Sequence, residues 1–189
     1  EMRYEALLPA FTASFSASTV ASLLGIHKEN LTIHISESLT PFLLVRLITL
    51  GIIFGITGGL FAWCLKRTKK YLGEKIKNPL VRVFSIGVVL SILFLVLYRG
   101  RYCGFGTNLV EAVFTGEKVY AYDWALKFIL TVLTLSAGFQ GGEVTPLFTI
   151  GATLGAVLGS LFGIPVELSA ALGYAAVFGG GTNTLLAAI

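Results

Sequence analysis

The sequence predicts an all-α fold: a polytopic membrane helix bundle in which some helices are interrupted part way through. Three observations predict it. Of 189 residues, 55% are hydrophobic and only 13% are charged, about half the charged share of an average soluble domain, and the mean hydropathy is +0.83. Uncharged apolar runs recur at about 20 residues, the length of helix that crosses roughly 30 Å of hydrocarbon. Short glycine clusters stand inside or beside those runs, where they interrupt helices. The length suits one domain, or one contiguous piece of a larger one.

Six segments are candidate spans. Residues 6–26 are rich in Ser, Thr and Ala and less oily than the rest, a composition suited to a helix that packs on protein. Residues 41–65, PFLLVRLITLGIIFGITGGLFAWCL, form the clearest span, and their sole charge, Arg46, lies near one end where it snorkels to the headgroups. Residues 66–77, KRTKKYLGEKIK, carry six of the fourteen basic residues and predict a solvated cytoplasmic loop by the positive-inside rule. Residues 80–98 span next, with Arg82 near their start, and 124–139 follow with Lys127 as their only charge. Residues 146–163 and 166–189 are again rich in small residues. Glu111, Glu117 and Asp123 are expected at membrane interfaces, and Glu167 opens the last span, where a carboxylate favours the helix dipole.

The same residues exclude several functions. Fourteen basic against ten acidic residues leave a net charge of +4, but the basic residues fall between apolar runs and not over a solvated face, so no nucleic-acid surface is expected. Cys64 and Cys103 fit no C-x-x-C pattern and read as packing residues. His27 and His34 share a polar loop without metal-ligand helix spacing, and Ser136 has no base within reach, so neither a metal site nor an intramembrane enzyme is expected. No phosphate loop or organic cofactor is implied. The opening EMRYE lacks the positive segment of a secretion signal. Glu1 in first place and an apolar end at Leu185 to Ile189 without a cap predict that both ends are cut from a longer chain.

Glycine recurs at four-residue spacing in two spans, Gly51, Gly55 and Gly59 in one and Gly151, Gly155, Gly159 and Gly163 in the other. Such a stripe lies on one helix face and lets a second helix approach closely. Three denser clusters, at 103–108, 138–143 and 179–184, each predict a helix interruption. Irregular backbone at membrane depth survives only where protein or a water-filled cavity satisfies its peptide groups. Transporters use such half-helices to aim free N–H groups at anionic substrates. The strongest candidate is GFQGGEVTPLFTIGATLG, 138–155, where Gly141 and Gly142 allow a turn and Pro146 suits the first turn of a helix. The amides around Glu143, Val144 and Thr145 are then free to cradle a small anion. Glu143 itself reads either as a capping acid or as a proton carrier whose protonation follows anion occupancy, and we favour the second.

These residues resemble the CLC family of chloride channels and proton-coupled anion exchangers. Gly142-Glu143-Val144-Thr145-Pro146 resembles the family's G-x-F-x-P signature, with Val144 in place of Phe, and GATLGAVLG resembles the continuation of that half-helix. Gly104-Phe105-Gly106-Thr107-Asn108-Leu109 is similar to the family's glycine-rich segment ahead of it, and Gly181-Thr182-Asn183-Thr184 to a later turn, with Leu185 where Pro is expected. Glu1-Met2-Arg3 resembles a turn that carries an internal acid in proton-coupled members.

The resemblance implies the middle portion of a fold built from two inverted halves, so that residues 1–189 form a partial transmembrane anion-transport domain. The segment with the gating Glu would lie upstream of Glu1, and an anion-contacting Tyr downstream of Ile189. It assigns the anion to Gly142, Glu143, Val144, Thr145 and Pro146, proton coupling to Glu143 and Glu1, and supporting turns to Gly104, Gly106, Asn108 and Asn183. The Glu in the signature is similar to the bacterial fluoride-exporting branch, making Glu143 and Thr145 the substrate-determining pair. The expected function is therefore transport of a small halide, fluoride ahead of chloride, by a channel or proton-coupled exchanger. The expected setting is a bacterial cytoplasmic membrane, with a homodimer as the family's assembly. The alternative is a structural or accessory membrane bundle without a transport path of its own.

Overall fold

The computed structural model describes residues 7–25, 40–97 and 100–184, and among these every regular element is a helix. Glu1, His27, His34 and 185–189 lie outside the described residues. The chain divides into two compact units, 1–32 and 33–189.

The first unit holds α1, Leu7–Leu23. Its hydroxyl-rich sequence suits an apolar setting because the hydroxyls find partners on their own helix: Thr12, Ser16, Thr19 and Ser22 each donate to the carbonyl four residues earlier, at 2.8 to 3.1 Å.

The second unit opens with α2, Pro41–Lys75. Pro41 stands in the first turn, where its missing N–H is no loss, and the Thr40 hydroxyl accepts from the Leu43 N–H at 3.3 Å. Its buried stripe, Leu43, Leu50, Phe54, Thr57, Gly58 and Phe61, forms one wall of the core, while Ile48, Ile52, Ile56 and Trp63 face outward. At 35 residues the helix is about 52 Å long, far beyond a bilayer core. The expected loop at 66–77 is therefore corrected: this segment is the exposed last turns of α2 as far as Lys75, and only 76–78 links it to the next helix. Lys, Arg and Glu are good helix formers, and nothing at position 65 stops the helix.

Helix α3, Pro79–Val96, starts under a cap in which Asn78 accepts from the Leu80 N–H at 3.0 Å. Leu90 is its one buried residue. Helix α4, Thr107–Phe114, is a two-turn element that the apolar runs did not announce. Helix α5, Asp123–Ala137, ends where Gly138 takes a left-handed conformation, φ 106°. Helices α6, Val144–Phe162, and α7, Val166–Thr182, form an antiparallel hairpin about Gly163, Ile164 and Pro165. Among the described residues, α2, α3 and α6 are long and apolar enough to cross a membrane. Helices α1, α5 and α7, with 17, 15 and 17 residues, reach only about 22 to 26 Å.

Glycine contacts hold the core together. Side chains built on Gly151 or Gly155 would overlap the backbone of Gly173 or of Ser169, so the stripe on α6 lies directly against α7, as expected. The stripe on α2 behaves differently. Side chains on Gly51, Gly55 and Gly59 would meet nothing within 4 Å, and it is on Gly58 that a Cβ would run into α7, 2.6 Å from Val177 O. The third cluster, 179–184, breaks the run only at its far end: Gly179, Gly180 and Gly181 complete α7, with Gly180 seated on Gly55 and Gly58. The close approach of α2 holds these residues helical, and the break falls at Asn183, φ 56°. Between the helices lie Leu50, Phe54, Phe61, Phe128, Leu147, Ile150 and Val177.

The two arginines of the apolar runs do more than snorkel. Arg46 Nη1 donates to Gly163 O at 3.4 Å, and Arg82 Nε to Ala137 O at 2.9 Å. Each cation therefore meets the carbonyl end of a helix, α6 for Arg46 and α5 for Arg82, where the dipole favours it.

Candidate functional site

The site is built around the start of α6. After Gly138 the chain runs irregularly through 139–143 before Val144 begins the helix. Glu143 takes the N-cap position, yet its side chain makes no capping hydrogen bond. Its backbone carbonyl accepts from the Leu147 N–H at 3.1 Å, which closes the first turn. The amides of the opening turn consequently have no partner within the helix, as at any helix N-terminus, and Pro146 contributes none. Gly142, Glu143 and Val144 are exposed, Thr145 is half-buried and Pro146 is buried. A capping acid is thus not what the geometry shows at Glu143, and in this chain by itself its carboxylate meets solvent.

Two of the predicted supporting turns converge on this helix start. Gly106 has φ 87°, and a Cβ there would lie 2.8 Å from Thr149 Cγ2 and 2.9 Å from Lys127 Cε, so only glycine fits. Thr149 Oγ1 lies 3.1 Å from both Phe105 O and Thr145 O, which joins the 104–106 turn to the first turns of α6. Asn108 Nδ2 donates to Arg101 O at 2.9 Å and closes the loop that carries Gly104 and Gly106. At the other flank, Gly181 abuts Leu147, a Cβ there falling 3.1 Å from Leu147 Cδ2, just before the chain turns at Asn183. The glycine clusters, dispersed in sequence, thus meet around the first turns of α6.

Beside them lies a polar cluster that sequence reasoning missed. Asp123 is fully buried among protein groups. Its carboxylate accepts from Arg101 Nη2 at 2.7 Å, from the Tyr102 hydroxyl at 2.5 Å and from the Tyr120 N–H at 2.9 Å. Lys127 is buried as well and donates to Tyr102 O at 3.1 Å and Gly104 O at 2.7 Å. The one signal for it in the sequence was a charge standing alone in an apolar run. Cys64 is half-buried as a packing residue should be, but Cys103 is exposed, because the turn at 100–104 projects it away from the core. A cavity of about 850 Å³ opens between α3 and α5, and its wall includes Lys127, Thr131, Gly141, Gly142 and Pro146. It therefore reaches from the polar cluster to the start of α6.

Three helices long and apolar enough to cross a bilayer, with the start of one set beside a cavity after an irregular stretch, define a polytopic membrane protein. Within that class the chain belongs to the voltage gated chloride channel family, whose model it matches over residues 1–189. It is 34% identical to the chloride/fluoride channel protein of Pseudomonas syringae pv. tomato over 194 residues, covering all of this chain and 43% of that one. A shorter match, 29% over 115 residues, covers 57% of this chain and 24% of the H(+)/Cl(-) exchange transporter ClcA of Salmonella arizonae. Among solved structures, the crystal structure of a CLC-type fluoride/proton antiporter superposes with a TM-score of 0.93 at 52% identity, over 98% of this chain and 47% of that chain. The chain thus spans less than half the length of these relatives. Family and apolar helices together make it an integral membrane protein.

Proposed function

We propose that the complete polypeptide carrying this sequence moves a small halide across a bacterial cytoplasmic membrane in exchange for protons, with fluoride preferred to chloride. One observation carries the reading: the 52% identity and matching fold shared with a structure described as a fluoride/proton antiporter, joined to a broken helix that presents Glu143 and Thr145 at its mouth. The amides of Gly142 to Thr145 bind the anion, and Pro146 leaves the opening turn free of competing bonds. Fluoride is small and strongly hydrated, so replacing its water takes strong donors at short range, which the Thr145 hydroxyl and a protonated Glu143 supply. Glu143 carries the coupled proton, and Glu1 serves as its internal relay. Gly104, Gly106, Asn108 and Asn183 hold the surrounding turns. The basic end of α2 faces the cytoplasm, and the working assembly is a homodimer.

The test is flux from proteoliposomes of the complete polypeptide, with fluoride and proton movement followed together. Wild type should move fluoride faster than chloride, with protons in the opposite direction. Glu143→Gln, nearly isosteric, should abolish proton coupling without loss of folded protein. Unchanged coupling would remove Glu143 from the mechanism, and no halide flux at all from wild type would return the protein to the reading of a structural bundle.

A further inference from the structure

Lys127 is a buried cation with no anionic partner among the described residues. It is 2% exposed, and its ammonium group has three N–H donors, of which two are used on Tyr102 O and Gly104 O. Asp123, one turn earlier on α5, is committed to Arg101, Tyr102 and Tyr120, and no carboxylate among the described residues forms an ion pair with Lys127. Arg101, half-buried, and Asp123 balance each other, which leaves the buried charge of Lys127 uncompensated within the cluster. Two carbonyl dipoles offset only part of what dehydrating an ammonium ion costs, so a charge held this way is balanced when an anion lies beside it.

The cavity supplies the place. Lys127 forms part of its wall, and so does Thr131, one turn further along α5, which is 7% exposed and whose hydroxyl makes no hydrogen bond among the described residues. The opposite wall is apolar, from Phe84, Leu90 and Leu95 of α3. The floor runs to Gly141, Gly142 and Pro146 at the start of α6. An anion entering this space leaves water behind and finds one fixed cation and one free hydroxyl, with Gly142 and Pro146 of the α6 start in the same wall.

We propose that Lys127 and Thr131 form a second anion position in the cavity between α3 and α5, filled by the same halide that binds at the start of α6. This rests on the transport reading above and adds to it a binding residue outside the signature segment. The position works by charge: the Lys127 ammonium attracts the halide, Thr131 donates to it, and the remaining walls exclude water and so strengthen both interactions.

Sodium fluoride binding to the purified complete polypeptide, measured by calorimetry against sodium gluconate at equal ionic strength, tests the assignment. Lys127→Gln keeps a donor for the two carbonyls and removes the charge, whereas Lys127→Arg keeps the charge. We expect Lys127→Gln to weaken fluoride binding at least about tenfold and Lys127→Arg to stay within about threefold of wild type. Without fluoride, Lys127→Gln should melt no lower than wild type, because an uncompensated buried charge has been removed. Wild-type affinity in Lys127→Gln overturns the proposal and leaves the transport reading intact. Folding of Lys127→Arg alone, with both Lys127→Gln and Lys127→Met unfolded, shows that the fold itself needs the cation and also overturns it. If wild type binds chloride and not fluoride, the same variants are titrated with sodium chloride, and if it binds neither, the transport reading fails together with this one.

Discussion

Two glycines in one turn separate backbone strain from crowding. Gly104 and Gly106 both have left-handed backbones, φ 65° and φ 87°, but a Cβ on Gly104 would meet nothing within 4 Å. On Gly106 it would lie 2.8 Å from Thr149 Cγ2, 2.9 Å from Lys127 Cε and 2.9 Å from Thr149 Oγ1, well inside the ~3.5 Å of a comfortable contact. Alanine at either position bears the left-handed penalty of about 1 to 2 kcal/mol. At Gly106 the overpacking adds about 1 to 3 kcal/mol, because Thr149 is tied to Phe105 and Thr145 and cannot swing aside freely. Melting of the two variants in detergent, followed by intrinsic fluorescence, should therefore place Gly106→Ala about 2 to 12 °C below Gly104→Ala. Fluoride flux should fall further in Gly106→Ala too, since the displaced Thr149 ties the 104–106 turn to Thr145 in the opening turn of α6. If Gly104→Ala melts as low as Gly106→Ala or lower, the crowded junction between the 104–106 turn and α6 does not exist as described.

Two further substitutions probe the scaffold. Gly155→Val places a side chain onto the backbone of Ser169 and should lower stability by about 3 kcal/mol or more, since a backbone obstacle cannot rotate away. Gly51→Val, whose side chain would meet nothing, should stay within about 0.5 kcal/mol of wild type, and equal melting of the two would contradict the close approach of α6 and α7. Asp123→Asn breaks a pair in which Asp123 is fully buried and Arg101 is 23% exposed, so the loss should be about 3 kcal/mol, the low end for a buried pair. Adding Arg101→Met should recover part of it, and a double mutant no more stable than Asp123→Asn would show that the ion pair is not the source of the effect.

How much of this was legible depends on the range over which each constraint acts. The long spans were readable because hydrocarbon demands about 20 apolar residues in succession, a local requirement written in a local run. Helix α4 was missed because eight residues make only two turns, too few for a pattern to stand out. The basic run at 66–77 was read as a loop because charge marks a segment as solvated, and solvation says nothing about whether its backbone is helical. The cluster around Asp123 went unseen because its partners, Arg101 and Tyr102, lie 22 and 21 residues away and meet it only through a turn.

The glycine clusters show the division most directly. The sequence by itself determined where the backbone is permitted to break, and Gly138 with Gly104 and Gly106 breaks it as the composition anticipates. Only the tertiary structure decided that Gly179, Gly180 and Gly181 do not, since α2 lies against them and makes a continuous helix the better packed solution. The same holds for Lys127. Its isolation in an apolar run was plain from the residues, but its use was not, because the carbonyls that hold it lie 25 and 23 residues away and the cavity it faces takes its opposite wall from α3. A residue's type fixes what it is able to donate, accept or exclude, and the partner that makes use of it comes from the packing of distant chain.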